Sequence, residues 1–162
     1  MIIYKELFSN EFCDYLIPLI KTECILSESH KTGWFVWLIW GEQGIQKLSK
    51  EKWNIKIVDL VNKELKKSNL EIQKYELKWL QMTEYENNRW LRKHVDGDWN
   101  KTLIILLSDE FVGGETFIND KEIELKKGDG VLFDGHLMYH EIKPVISGKR
   151  NALNFWFKNT II

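Results

Sequence analysis

Gly113-Gly114-Glu115-Thr116-Phe117-Ile118-Asn119-Asp120-Lys121-Glu122-Ile123-Glu124-Leu125-Lys126-Lys127-Gly128-Asp129-Gly130-Val131-Leu132-Phe133 is a train of short β runs separated by turns. Glycine, asparagine and aspartate adopt the turn backbone readily, and the pieces between them are too short for helices. They predict strands near 115–118, 121–125 and 130–133. The same rhythm extends outward in both directions. Upstream it predicts strands near 78–85, 91–96 and 102–108, and downstream near 138–143 and 149–158. Pro144 and Gly148 bracket a tight turn between the last two. Eight short strands at this spacing suggest an α+β, mainly β fold: a double-stranded β-helix, or jelly roll.

The first third of the chain reads differently. Ser9-Asn10-Glu11-Phe12 is a helix start, with Phe12, Leu16, Leu19 and Ile20 at helical spacing. A second helix is predicted from about Ser49 to Lys67, with Ile55, Val58, Leu60, Val61 and Leu65 as its apolar stripe. Between them, Ser27 to Gly44 reads as an aromatic loop carrying Trp34, Trp37 and Trp40. The expectation is one domain over residues 1–162. Residues 1–69 would form a helical support packed on one sheet, and residues 70–162 the jelly-roll core.

Composition narrows the classes. The chain has 162 residues, 44% of them apolar, with eight tryptophans and eight phenylalanines. That is enough for a well-filled core without disulfides. A net charge of −1 offers no field to attract nucleic acid or a membrane. Cys13 and Cys24 form no metal motif and read as reduced thiols. With no signal-peptide layout and no spanning apolar run, a cytoplasmic protein is expected. The oligomeric state is open.

Chemistry concentrates in His94-Val95-Asp96, His140 and Arg150. On a strand, positions two apart face the same way, so His94 and Asp96 would point together. With His140 from a later strand they make the two-imidazole, one-carboxylate set of a facial iron(II) site with open positions. After the turn, alternation puts Arg150, Ala152, Asn154 and Trp156 on one face. A buried arginine without an acidic partner calls for an anionic ligand. His136 could instead serve as a ligand, and Asp98 could compete with Asp96. The loop–strand context of His136 and the strand-ending Gly97 favour His140 and Asp96. His30, in the aromatic stretch, reads as structural, and Gly113-Gly114 as a turn.

Taken together, Tyr85 to Phe157 resemble the catalytic core of the prolyl 4-hydroxylase-like group of 2-oxoglutarate- and iron(II)-dependent oxygenases. The elements that carry the resemblance are Tyr85, His94-Val95-Asp96, the apolar run 102–107, Gly113-Gly114-Glu115-Thr116-Phe117 and Lys127–Phe133. The last is His140-Glu141 with Pro144-Val145, Gly148 and Arg150, followed by Trp156. They occur in the family's order over roughly half the chain. The resemblance implies Fe(II), 2-oxoglutarate and O2, with ascorbate as reductant. His94, Asp96 and His140 would hold the metal, and Arg150 the distal carboxylate of 2-oxoglutarate, with Tyr85, Thr102 or Asn154 hydrogen-bonding it. The clamp departs from the lysine of collagen prolyl hydroxylases and matches the arginine of oxygen-sensing relatives. Arg89, Trp90 and Trp156 are candidate substrate contacts. A carboxylate ligand leaves no position for halide, so hydroxylation is expected over halogenation. The substrate would be a prolyl residue in a peptide or protein, or a small molecule such as a free amino acid. A cupin-like metalloenzyme without 2-oxoglutarate and a non-catalytic jelly-roll binder are the alternatives.

Overall fold

The computed structural model describes residues 1–28, 35–41, 53–72 and 74–160. In chain order the elements are β1 (Ile2–Tyr4), α1 (Asn10–Glu23), β2 (Ile25–Glu28), β3 (Phe35–Gly41), α2 (Ile55–Leu65), β4 (Tyr75–Tyr85) and β5 (Leu91–His94). There follow β6 (Lys101–Leu106), β7 (Phe111–Gly113), β8 (Thr116–Ile118), β9 (Lys121–Ile123), β10 (Gly130–Phe133), β11 (His140–Ile142), β12 (Val145–Gly148) and β13 (Arg150–Asn159).

Antiparallel pairing builds a seven-stranded major sheet in the order β1-β10-β6-β13-β4-β3-β2 and a minor sheet in the order β5-β11-β8-β9. β12 and β7 pair as a separate two-stranded ribbon. Strand alternation divides the major sheet cleanly. Leu80 and Met82 of β4, Leu103 and Ile105 of β6, and Leu153 and Phe155 of β13 face the helices. There they meet Cys13, Leu16 and Ile20 of α1 and Ile57, Val61 and Leu65 of α2. The alternate residues face the minor sheet, where Ile104 and Ala152 pack with Ile118, Ile123, Val131 and Phe133. The fold is thus a jelly roll with both helices on the outer face of one sheet.

Several local expectations change. The aromatic stretch expected as loop contains the end of β2 and the whole of β3. Val36, Trp37, Leu38 and Ile39 are all buried, so β3 is covered on both faces and shows no polar alternation. The N-terminal third therefore adds strands as well as helices: β1 pairs with β10, and β3 with β4. Helix α2 starts later than predicted, because the Asn54 side chain caps it by accepting from the Ile57 N–H at 3.1 Å. Residues 49–52 and His30 lie outside the described residues. The segment from Val145 to Gly148 is a strand rather than a turn, with Val145 opposite Gly113 on β7. Gly148 then reverses the chain at φ +75°, where a Cβ would lie 2.1 Å from the Glu110 carbonyl oxygen.

Both cysteines are free thiols, and burial pushes the Cys13 pKa up to about 12 and that of Cys24 to about 11. Among the described residues no helix is long and apolar enough to cross a membrane.

Asp129 ties the N-terminus to the roll. Its buried carboxylate accepts from the Glu6 and Lys126 N–H groups, each at 3.0 Å, and from Lys5 Nζ at 2.8 Å. Burial alone would raise its pKa, but these bonds hold it below the ordinary value. Asp129→Ala is expected to cost about 2–3 kcal/mol in urea unfolding, because two backbone donors lose a charged acceptor. A depressed folded-state pKa stabilises above the unfolded value of about 4 and is lost as pH falls below it. The variant's stability should therefore converge on the parent's under acid. A constant gap down to the acid limit would assign Asp129 no such role.

Candidate metal centre

His94 ends β5 and His140 opens β11, and the two are direct partners across the minor sheet. Their ring centroids lie 4.2 Å apart. Asp96 does not share the strand of His94, as alternation had suggested, because β5 ends at His94. Its backbone N–H instead donates to the Gly135 carbonyl at 2.9 Å, and this bond brings its carboxylate beneath the histidines. Asp96 Oδ1 is 3.4 Å from His94 Nε2 and 3.3 Å from His140 Nε2. One ligand atom from each residue lies within 4.8 Å of the others. Adjacent ligands of an octahedral ion with bonds of about 2.1 Å are about 3 Å apart, so the set fits with small adjustment.

The hydrogen-bond partners of the two rings also suit a metal. His94 Nδ1 lies 2.8 Å from the Arg92 carbonyl, and His140 Nδ1 lies 3.1 Å from the Met138 carbonyl. Each Nδ1 therefore carries the hydrogen, and each Nε2 is left for coordination. Burial draws the His94 pKa down, but hydrogen bonds to Asp96 and to the Arg92 carbonyl outweigh it and leave it raised. Burial pushes Asp96 up, but bonds from His140, His94 and Thr102 prevail and hold it well below the usual carboxylate range. Asp96 is thus ionised. Gly135 makes this packing possible, since a Cβ there would lie 2.1 Å from Thr102 Oγ1 and 2.7 Å from Asp96 Oδ2.

A cavity of about 770 Å³ opens over the triad. Tyr85, Trp90, Thr102, Arg150, Asn154 and Trp156 all line it. Arg150 does not come from the strand beside His140. It lies on the major sheet, opposite Tyr85 in register, and reaches across to donate to Thr116 Oγ1 on β8 at 2.9 Å. It is 2% exposed, and among the described residues no carboxylate pairs with it. Burial lowers its pKa to about 10, still protonated at neutral pH. Burial likewise pushes Tyr85 up to about 12, so its phenol keeps its proton. The neighbouring Lys149 is 57% exposed and sits between Glu84 and Glu86.

Three expected contacts fall elsewhere. Thr102 Oγ1 donates its single proton to Asp96 Oδ2 at 2.5 Å. It also pairs with Trp156, six residues along β13 from Arg150. At about 3.3 Å per residue that is roughly 20 Å, so Thr102 serves Asp96 and not an anion at Arg150. Both amide hydrogens of Asn154 are engaged, by Thr83 Oγ1 and the Ala152 carbonyl. Arg89 does not line the cavity; its guanidinium stacks 4.2 Å from the Phe35 ring centroid. The Asn87-Asn88 turn, at φ 53° and 64°, redirects the chain there. His136 Nδ1 lies by the Asn100 carbonyl, outside the triad. Sequence reasoning gave no individual role to Thr116, Gly135 or Arg92. Of these, Arg92 had a signal, the period-two relation to His94.

Residues 80–158 match the sequence profile of the 2OG-Fe(II) oxygenase superfamily. No curated protein gives a significant sequence match. Solved structures agree in fold. A Pseudomonas putida prolyl-4-hydroxylase superposes with a TM-score of 0.68 at 15% identity, covering 99% of this chain and 92% of that one. A viral collagen prolyl hydroxylase from Paramecium Bursaria Chlorella virus-1, in a 2OG complex, gives 0.62 at 22% identity, with 99% and 96% covered. A Trichoplax adhaerens prolyl hydroxylase, in complex with a hypoxia inducible factor oxygen degradation domain peptide fragment, gives 0.67 at 13%, with 98% and 83% covered.

Proposed function

We propose, from the premise that residues 80–158 place this chain in the 2OG-Fe(II) oxygenase superfamily, that it hydroxylates an unactivated carbon of a prolyl residue in a peptide or protein. The superfamily makes it a 2-oxoglutarate- and Fe(II)-dependent dioxygenase that consumes O2. When bound, iron and 2-oxoglutarate supply the oxidising chemistry: the cosubstrate becomes succinate and carbon dioxide, and one oxygen atom enters a C–H bond.

The protein's part is holding and shielding. His94 and His140 offer Nε2, and Asp96 offers Oδ1. Thr102 occupies Oδ2 of Asp96 and so limits the carboxylate to one donor oxygen. Arg150 takes the distal carboxylate of 2-oxoglutarate, and Tyr85, whose ring centroid lies 5.9 Å from the guanidinium carbon, serves as a second donor. Ile104, Ile142 and Trp156 wall the pocket and exclude water. The observation that carries the reading is one cavity holding both a two-histidine group with an ionised carboxylate and a buried arginine that, among the described residues, no carboxylate pairs with. A cupin-like metalloenzyme or a binding module would have no use for the second. The prolyl substrate is supported by the prolyl hydroxylases of like fold, and by a pocket mouth open enough to carry the exposed Trp90. We take residues 1–162 as a single oxygenase domain, because the major sheet draws strands from both ends of the chain.

The test is succinate formation from 2-oxoglutarate with Fe(II) and ascorbate, using a panel of proline-containing peptides and free amino acids. A peptide mass gain of one oxygen on proline is expected. Succinate without any hydroxylated proline would keep the oxygenase and discard the prolyl substrate. No succinate from folded, iron-loaded protein would discard both.

A further inference from the structure

Arg92 carries a positive charge that the oxygenase chemistry leaves unused. It stands two residues before His94 on β5, so strand alternation turns both side chains toward the cavity. Arg92 lines that cavity together with Trp90 and Trp156. Its neighbour Lys93 turns the other way, to Asp120 at 2.5 Å and the face of Tyr139. Among the described residues the Arg92 side chain has no ion pair and no hydrogen bond.

Charge balance makes this notable. Asp96 is the sole carboxylate among the described lining residues. With a divalent metal and 2-oxoglutarate in place, the metal and Arg150 offset Asp96 and the two carboxylates of the cosubstrate. Arg92 is then a positive charge in excess, and a cavity lined by one sign concentrates ligands of the other. The two arginines also differ in depth. Arg150 is buried, whereas Arg92 is exposed to solvent near Trp90, which is 46% exposed. The partner of Arg92 therefore arrives from the open side, where substrate enters.

Resting on the oxygenase reading above, we propose that Arg92 binds a carboxylate of the substrate, close to the carbon that is hydroxylated, with Trp90 and Trp156 as apolar walls for the part between. That carboxylate comes either from an acidic side chain next to the target residue in a peptide or from the α-carboxylate of a small amino acid. An arginine this exposed forms a pair worth little more than 1 kcal/mol, which is roughly fivefold in affinity and weaker at high salt.

Calorimetry on protein loaded with Mn(II) and 2-oxoglutarate, without oxygen, tests this with two sets of probes. One is a blocked pentapeptide, Gly-Gly-Pro-Glu-Gly, with counterparts carrying Gln or Lys in place of Glu. The other is L-proline against L-prolinamide. The parent protein is expected to prefer the carboxylate probe by roughly fivefold in one set, and that set names the source of the carboxylate. Arg92→Glu should reverse the order in the same set. Equal affinities, no binding in either set, or a preference that survives in Arg92→Glu overturns the proposal. Succinate formation in the same preparation reports separately on the oxygenase assignment, so the two can fail independently.

Discussion

His140→Ala is expected to weaken Mn(II) or Co(II) binding more than a hundredfold and to abolish succinate formation. The reason is geometric. A three-ligand site that loses one neutral nitrogen keeps only two donors, and outer-shell changes alone already reduce affinity tenfold to a hundredfold. His140 is 4% exposed and meets the edge of Phe133 at 4.9 Å, so the alanine variant also leaves a small void. His140→Gln fills that space and keeps a polar group, and it separates the two effects: metal affinity should still fall while the melting temperature recovers. His136→Ala is the matched control, since the Nδ1 of that imidazole lies by the Asn100 carbonyl, outside the triad. Full metal affinity in His140→Gln, with loss in His136→Ala, would move the ligand to His136.

Much of this site was legible because it obeys short rules. Two histidines, one carboxylate and a downstream arginine have a chemistry that few other combinations share, and period-two alternation put Arg150, Ala152 and Asn154 on one face. The parts that were not legible depend on contacts between distant segments. Asp96 reaches the site through a bond to Gly135, far along the chain, and not through alternation from His94. The part played by Thr102 depends on register: only the pairing of β6 with β13 shows that it stands at Trp156 rather than at Arg150. Strand β3 was hidden because Phe-Val-Trp-Leu-Ile-Trp is covered on both sides and so shows no polar face. Strands β7 and β12 were hidden for the opposite reason. Their glycines, and the proline just before β12, signal turns, and only their mutual pairing makes them strands. The cap of α2 was present in the sequence as Asn54, but the preceding apolar and charged residues continued a helical pattern and masked it.

Arg150→Met should separate binding from stability by moving them in opposite directions. The guanidinium is buried on the major sheet with, among the described residues, one hydrogen bond, to Thr116, and it lies over the Tyr85 ring, 5.9 Å from the centroid. Holding a buried charge without a counter-charge is unfavourable, and an apolar side chain of similar length removes that penalty. In the absence of 2-oxoglutarate, the variant should therefore melt at the same temperature as the parent or higher. With Mn(II) and 2-oxoglutarate present, the order should invert. A ligand that binds only the folded state raises stability in proportion to the logarithm of its concentration over its dissociation constant. Losing one partner of a sheltered charge pair costs about 2–5 kcal/mol, which is a thirtyfold to several-thousandfold weaker dissociation constant. The parent should thus gain several degrees on addition of millimolar 2-oxoglutarate, and Arg150→Met almost none. Arg150→Lys should fall between them, because an ammonium offers a single point charge in place of a planar fork. Lys149→Ala should behave like the parent, since that lysine is 57% exposed and shared by Glu84 and Glu86. If Arg150→Met kept the cosubstrate-dependent rise and Lys149→Ala lost it, the anion site would belong to Lys149. The buried arginine would then be a structural residue whose cost is met by Thr116 alone.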